Sequence, residues 1–116
     1  MAEPYNFPKL LREIIGNPLK ELGFVQRRCS FSRGNSLFKE KVYFTRDGFK
    51  NKGFMIFLII NQNHKDVLGF NLSSLMGNMY YKYNSEEELK QVLAFALADI
   101  IDTGIPFFSN KRNELS

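Results

Sequence analysis

Residues 54–60 of this 116-residue chain read Phe-Met-Ile-Phe-Leu-Ile-Ile, and this run decides the fold class. Seven consecutive apolar residues between Gly53 and Asn61 favour a strand over a helix. A strand that is apolar on both faces is typical of the centre of a sheet, where something must cover each face. Both faces of the strand would be covered if the two terminal helices packed on opposite faces of the sheet, or if the tail at 107–108 folded back over it. Otherwise one face is an interface, and a homodimer is then one expected state.

Two runs upstream of this strand alternate between apolar and polar residues. The first predicts a strand over residues 24–32 that turns Val25, Cys29 and Phe31 inward, and the second predicts a strand over 38–44. Turn-forming residues at 33–36 join them as an antiparallel hairpin. One face of this hairpin is polar, and it carries Lys39, Lys41 and Tyr43, with Arg28 beside them.

A helix is predicted at the N-terminal end, because apolar residues recur at spacings of three and four from Leu11 to Leu22. Pro18 lies inside this pattern, where it would cost a backbone hydrogen bond. Either the helix kinks there, or Asn17 caps a second short helix with Pro18 at its first position. Gly23 then ends the helix.

The C-terminal helix has the clearest start in the chain. Ser85 followed by Glu88 forms a capping box, and an apolar stripe then extends to Ile100. Gly104 followed by Pro106 predicts the end of this helix, after which the tail should dock by its phenylalanines and then fray.

These elements together predict one α+β domain over residues 1–116. Its antiparallel sheet of about four strands would lie between an N-terminal and a C-terminal helix. Shorter runs after residue 61 supply the fourth strand, near Val67–Leu72, and a short edge strand over 79–83.

The composition indicates a cytoplasmic protein that does not enter a membrane. Cys29 is the only cysteine, so no intrachain disulfide can form, and the first residues lack the pattern of a signal peptide. The apolar run at 54–60 is far shorter than the roughly 20 residues that span a bilayer. The net charge of +4 weakly favours an anionic partner.

No set of side chains in the sequence assembles a catalytic or metal site. His64 is the only histidine and lies in a polar stretch typical of a turn, and Cys29 has the neighbours of a buried thiol. Residues 86–88 are three glutamates, but consecutive helical positions point about 100° apart and cannot converge on one ion. The sequence therefore predicts no enzyme, no cofactor and no metal.

Residues 27–52 carry the strongest charge signal. Eight lysines and arginines are opposed there only by Glu40 and Asp47, a net charge of +6 in 26 residues. A solvated face kept soluble by lysines explains this pattern without a function. Docking of an acidic protein and binding of nucleic acid through phosphate contacts are the two functional interpretations.

Residues 19–28, Leu-Lys-Glu-Leu-Gly-Phe-Val-Gln-Arg-Arg, followed by Phe31 and by Lys41-Val42-Tyr43-Phe44, resemble a group of small bacterial domains of unknown function. In these domains a helix with this ending is followed by a meander of strands, and the late Ile105-Pro106-Phe107-Phe108 is similar to their ending. The resemblance implies binding rather than catalysis, including toxin neutralisation by an immunity protein.

We therefore expect a non-catalytic protein-binding module with an acidic protein partner. The alternative is a weak, sequence-tolerant nucleic-acid binder that uses the same basic hairpin. Tyrosine and arginine commonly anchor interfaces. The expected contact surface is either the basic hairpin face, with Arg28, Lys39, Lys41 and Tyr43, or the tyrosine stretch, with Tyr80, Tyr81 and Tyr83.

Overall fold

A computed structural model of the chain describes residues 7–35, 37–46, 53–75 and 81–115. Helix α1 has three contiguous segments, Phe7–Leu11, a π-helical segment Arg12–Gly16, and Asn17–Glu21. Helix α2 is the short Leu72–Leu75. Helix α3 also has three segments, Glu86–Asp99, a π-helical segment Ile100–Gly104, and Ile105–Leu115. The strands are β1 Val25–Arg27, β2 Ser30–Gly34, β3 Phe38–Arg46, β4 Gly53–Gln62, β5 Lys65–Asn71 and β6 Tyr81–Lys82.

The strands form one antiparallel sheet in the order β1-β2-β3-β4-β5, and β6 pairs with one end of β4. This confirms the α+β class with a terminal helix at each end, although six strands replace the predicted four or so. Strand β4 is central, as its apolar composition predicts. The first residues of the predicted edge strand, 79 and 80, lie outside the described residues.

Both long helices pack on the same face of the sheet. The Phe7 ring of α1 contacts the rings of Phe44 and Phe54, with centroids 6.4 and 5.7 Å apart. On α3, a Cβ added to Gly104 would lie 3.5 Å from a methyl group of Leu58, so the helix approaches β4 closely on that same face. The core is therefore a single layer between helices and sheet, and the opposite face receives no helix from the described residues.

Strand β1 and strand β2 replace the single strand predicted over residues 24–32. Arg28 and Cys29 form a tight turn between them, and Arg28 has a positive φ of 55°. Pairing of Val25 with Ser32 places Val25 on the face opposite Phe31 and leaves it exposed. The alternation predicted through this segment is wrong because the chain reverses direction within it.

The C-terminal helix starts as predicted and ends later than predicted. The Ser85 hydroxyl oxygen accepts a hydrogen bond from the Glu88 amide at 3.1 Å, and a Glu88 carboxylate oxygen accepts one from the Asn84 amide at 3.0 Å. Gly104 and Pro106 do not stop the helix, because the π-helical segment carries it past them to Leu115. Phe108 docks in the core as expected.

Among the residues whose burial is described, Glu40 is the charged one that the fold buries, with 1% of it exposed. The Arg33 guanidinium donates to one of its carboxylate oxygens, and Arg112 donates to the other at 2.9 Å. A buried charge is tolerated when it is paired and hydrogen-bonded in this way. The pair with Arg112 joins the end of α3 to β3 across 72 residues of sequence.

A strained turn between β4 and β5 provides a stability prediction. Asn63 and His64 both have positive φ angles, 55° and 68°, the pattern of a two-residue type I′ turn. Asparagine tolerates this region, whereas glycine is favoured at the second position. Changing His64→Gly should therefore raise the free energy of unfolding by about 1 kcal/mol. Glycine relieves the backbone strain at this position, and this gain exceeds the cost of the conformational entropy that glycine loses on folding. Urea denaturation followed by circular dichroism measures this.

Asn63→Gly is the matched control and should change stability less, because asparagine already adopts left-handed angles at little cost. A less stable His64→Gly variant would contradict the prediction.

Candidate functional site

The candidate site is the sheet face that the helices leave uncovered, here called the open face. Along β4 the side chains of Phe54, Ile56, Leu58 and Ile60 are buried, whereas the intervening Met55, Phe57 and Ile59 are only partly buried. Residues paired across antiparallel strands point to the same face. The register therefore assigns these residues to the open face: Val25, Arg27, Ser30, Ser32, Gly34, Lys39, Lys41, Tyr43, Thr45, Met55, Phe57, Ile59, Asn61, Asp66, Gly69 and Asn71.

Lys39, Lys41 and Tyr43 lie together on this face, as the alternation of β3 predicts. Arg28 does not lie beside them, because it occupies the β1–β2 turn. Its neighbour Arg27 pairs with Ser30, which pairs in turn with Tyr43, so Arg27 is the arginine of the open face. Only recognition of the turn at 28–29 could have identified it from sequence.

These basic residues surround a hollow of about 390 Å³ over strands β1 to β4. Its lining combines cationic side chains and hydroxyl groups with one aliphatic side chain. The lining residues are Arg27, Ser30, Ser32, Lys39, Lys41, Tyr43 and Ile59. The hollow is thus equipped to bind an anionic group.

Two rings lie next to the hollow on the central strands. Tyr43 pairs directly with Phe57 across β3 and β4, so both rings lie on the open face. Tyr43 is 43% exposed, and Phe57 is partly buried. Paired rings on a sheet can contact the side chains of a protein or stack on bases.

The tyrosines near residue 80 are not presented in the way the sequence suggests. Tyr83 is 2% exposed and belongs to the core, which corrects the expectation that its ring is available to a partner. The Tyr81 ring stacks on Phe54 at 5.1 Å, and its hydroxyl donates to Asp99 of α3 at 2.7 Å. Tyr81 therefore connects sheet and helix, while Tyr80 lies outside the described residues.

His64 and Cys29 do not form a catalytic arrangement with each other. His64 is exposed in the β4–β5 turn, and Cys29 lies in the β1–β2 turn. Burial raises the pKa of the Cys29 thiol, and the nearby Arg28 charge opposes this only in part. In the described parts of the chain, no three His, Cys, Asp or Glu side chains cluster as metal ligands would.

The outer face of α3 is a second apolar surface. By length and composition, one helix of the described residues, Glu86–Glu114, is long and apolar enough to cross a membrane. An 18-residue window within it has a mean hydropathy of 1.6, and 28% of that window is buried. Its inner side packs on the sheet, while Phe95 is 70% exposed and Ile101 is 41% exposed. Exposed charges of both signs, Lys90 and Asp102 among them, accompany these two side chains, so the chemistry of this surface selects no particular partner.

No protein-family model, curated protein or solved structure matches the chain. The case for a function therefore depends on the geometry and chemistry of the open face.

The environment of Cys29 leads to a reactivity prediction. Because the thiolate is the reactive form and burial raises the pKa of this thiol, Cys29 should react with Ellman's reagent at pH 8 more slowly in the folded protein than in the unfolded chain. The Arg28→Ala variant should react more slowly still, since it lacks the charge that lowers the pKa. Equal or faster reaction of the folded protein would contradict this assignment.

Proposed function

We propose that this protein is a non-catalytic binding module that holds an acidic protein on its open face. One observation carries the proposal: a sheet face that no helix of the described residues covers combines an apolar centre with cationic neighbours. Large uncovered apolar surfaces usually mark interaction sites. The centre consists of Tyr43, Phe57 and Ile59, and the cations are Arg27, Lys39 and Lys41.

The composition of the face suits a protein partner. Tyrosine, phenylalanine and arginine are enriched where interfaces bury most of their energy, and charged residues are usually found at the rim. Lys39 and Lys41 are partly buried, so their aliphatic stems cover apolar surface while their ammonium groups remain accessible. Acidic side chains on the partner would complement this rim and accelerate association.

The same charges argue against a second copy on this face. An interface with a two-fold axis presents the same patch on both subunits, so it would bring the cations Arg27, Lys39 and Lys41 of both copies into one interface. Like charges placed together oppose association. A homodimer through the open face is therefore less favourable than a complex with an acidic partner, and light scattering of the purified protein distinguishes the two.

The biological role that fits such a module is neutralisation of a toxin by occupation of its surface. The resemblance to small bacterial domains through residues 19–28 supports this role, and occupation requires binding without catalysis. The single cysteine supports a reducing cytoplasm as the place where it acts.

Charge reversal on the open face tests the proposal. The double variant Lys39→Glu/Lys41→Glu should lose affinity for the partner by at least about tenfold, because attractive pairs become repulsive. The matched control is Lys20→Glu/Lys90→Glu, which makes the same charge change at exposed positions of the two long helices. Affinity capture from the source cell identifies candidates, and titration with a purified candidate measures the loss.

Support requires one protein that binds the wild type and the control with similar affinity and binds the open-face variant weakly. Equal binding by the open-face variant and the control would place the contact elsewhere and refute the proposal.

A second candidate function, binding of single-stranded nucleic acid, is favoured by the pairing of Tyr43 with Phe57 beside Lys39 and Lys41. Rings on an open antiparallel sheet stack on bases, and neighbouring cations contact phosphates.

This candidate predicts that a fluorescent oligothymidine binds with an affinity that falls steeply with salt, because each phosphate contact releases a counterion. Tyr43→Ala should weaken binding by about 1–3 kcal/mol because a stacking contact is lost, and it should not change the dependence of the affinity on salt concentration. Lys41→Gln should reduce that salt dependence, because a phosphate contact is lost. Fluorescence anisotropy measures both. An affinity independent of salt between 50 and 300 mM would exclude this function.

A further inference from the structure

We infer that the hollow on the open face is an oxyanion site that binds the phosphate monoester of a phosphorylated side chain on the partner protein. This inference rests on the proposed function, because it assigns the chemistry by which the same face recognises its partner.

The donors around the hollow suit an oxyanion. Arg27, Lys39 and Lys41 supply three cationic groups, and Ser32 and Tyr43 supply hydroxyl groups. The Ser30 hydroxyl already donates to the Arg27 carbonyl oxygen at 3.1 Å, so it shapes the strand end beside the hollow. Charge-assisted hydrogen bonds from arginine and lysine are the strongest ordinary contacts to phosphate oxygens.

The charges in the hollow lack an internal counterion. Among the described residues no carboxylate forms an ion pair with any of the three cations. Glu40 lies on the opposite face, where Arg33 and Arg112 neutralise it. Asp66 also lies on the open face, where its carboxylate accepts a hydrogen bond from Asn61 at 3.0 Å and forms no ion pair with these cations.

The number of unpaired cations selects the ligand. A single carboxylate would bring one negative charge to three positive groups, whereas a phosphate monoester carries about −1.5 to −2 at pH 7. A phosphodiester of nucleic acid carries one negative charge and no second ionisation near pH 6. The phosphate monoester therefore balances this hollow better than either alternative.

The floor of the hollow and its surroundings leave room for the chain that bears the phosphate. Ile59 contributes apolar surface to the lining, which limits water around the bound group and strengthens its charge contacts. Gly69 pairs with Ile59 on the far side, and a Cβ added to Gly69 would meet no atom within 4 Å. A peptide segment can thus cross β5 towards the hollow without displacing a side chain at Gly69.

Titration with simple anions provides the first test. Addition of inorganic phosphate at pH 7.5 and constant ionic strength should shift the backbone amide signals of Arg27, Ser32 and Lys41 in a nitrogen–proton correlation spectrum. Lys41→Gln or Arg27→Gln should weaken binding about tenfold, since each removes a charged donor. Lys90→Gln removes the same charge from helix α3 and should leave the affinity unchanged.

A change of pH separates recognition of a dianion from general attraction of anions. Phosphate should bind more weakly at pH 5.0, where it is mostly a monoanion, because its second pKa is near 6. Sulfate remains a dianion at both pH values and should bind equally at both. The sulfate arm also controls for titration of the protein itself, including His64 in the β4–β5 turn and the carboxylate of Asp66.

The source of the phosphate is resolved by comparing a blocked phosphoserine amide with the dinucleotide dTpdT. Tighter binding of the phosphoserine supports the inference, and tighter binding of the dinucleotide overturns it. Absence of amide shifts with phosphate, or an equal loss in Lys90→Gln, also overturns it. Failure of this inference can be told apart from failure of the proposed function. If phosphate does not bind but a protein partner binds the wild type and not Lys39→Glu/Lys41→Glu, the open face still binds protein and only the phosphate site is wrong.

Discussion

The architecture depends on one constraint: a single helical layer can cover only one face of the sheet. Helices α1 and α3 both contribute to that layer, with Phe7 over Phe44 and Phe54 and with Gly104 against Leu58. The central strand is nevertheless apolar on both faces, so half of its side chains are left for other contacts. Exposed apolar surface of this kind is costly in water, and a partner that covers it recovers that free energy.

The buried carboxylate of Glu40 stabilises the same layer from within. Desolvation of a carboxylate costs several kcal/mol, and only well-placed partners offset it. Arg33 comes from the neighbouring strand and Arg112 from the last helical segment. The desolvation cost of Glu40 is therefore fully offset only when the sheet and the helix are both in place. The Arg112 guanidinium also lies 5.2 Å from the Phe38 ring centroid, a cation–π contact that fixes its orientation.

Local patterns predict much of the fold and part of the site. The alternation of β3 correctly groups Lys39, Lys41 and Tyr43, and the capping residue Ser85 begins α3, because these features depend on neighbours in the sequence. The turn at Arg28 has no glycine, proline or asparagine to mark it, so a strand was expected there. The burial of Tyr83 depends on contacts with distant residues that no local pattern encodes. The alternation of β3 does place Glu40 with Phe38 and Val42 on the inner face, a signal that would have revealed the buried acid.

The two π-helical segments determine how this chain would tolerate the insertion or deletion of a residue. Buried residues recur every fourth position along both helices, at Phe7, Leu11, Ile15 and Leu19 and again at Ala96, Ile100, Gly104 and Phe108. A regular α-helix has 3.6 residues per turn, so this spacing would rotate out of the core by about 40° per turn, and a wider π turn absorbs the excess. Each π-helical segment ends at a glycine, and a proline follows two residues later, where it removes one regular α-helical hydrogen bond. If residues 100–104 became α-helical without losing a residue, everything beyond would rotate by about 100°, taking Phe108 out of the core and Arg112 away from Glu40, whereas loss of one residue there would leave both on their present faces. Each long helix thus accommodates one residue more than a regular α-helix would, and a single deletion within 100–104 should disturb the core less than a single insertion.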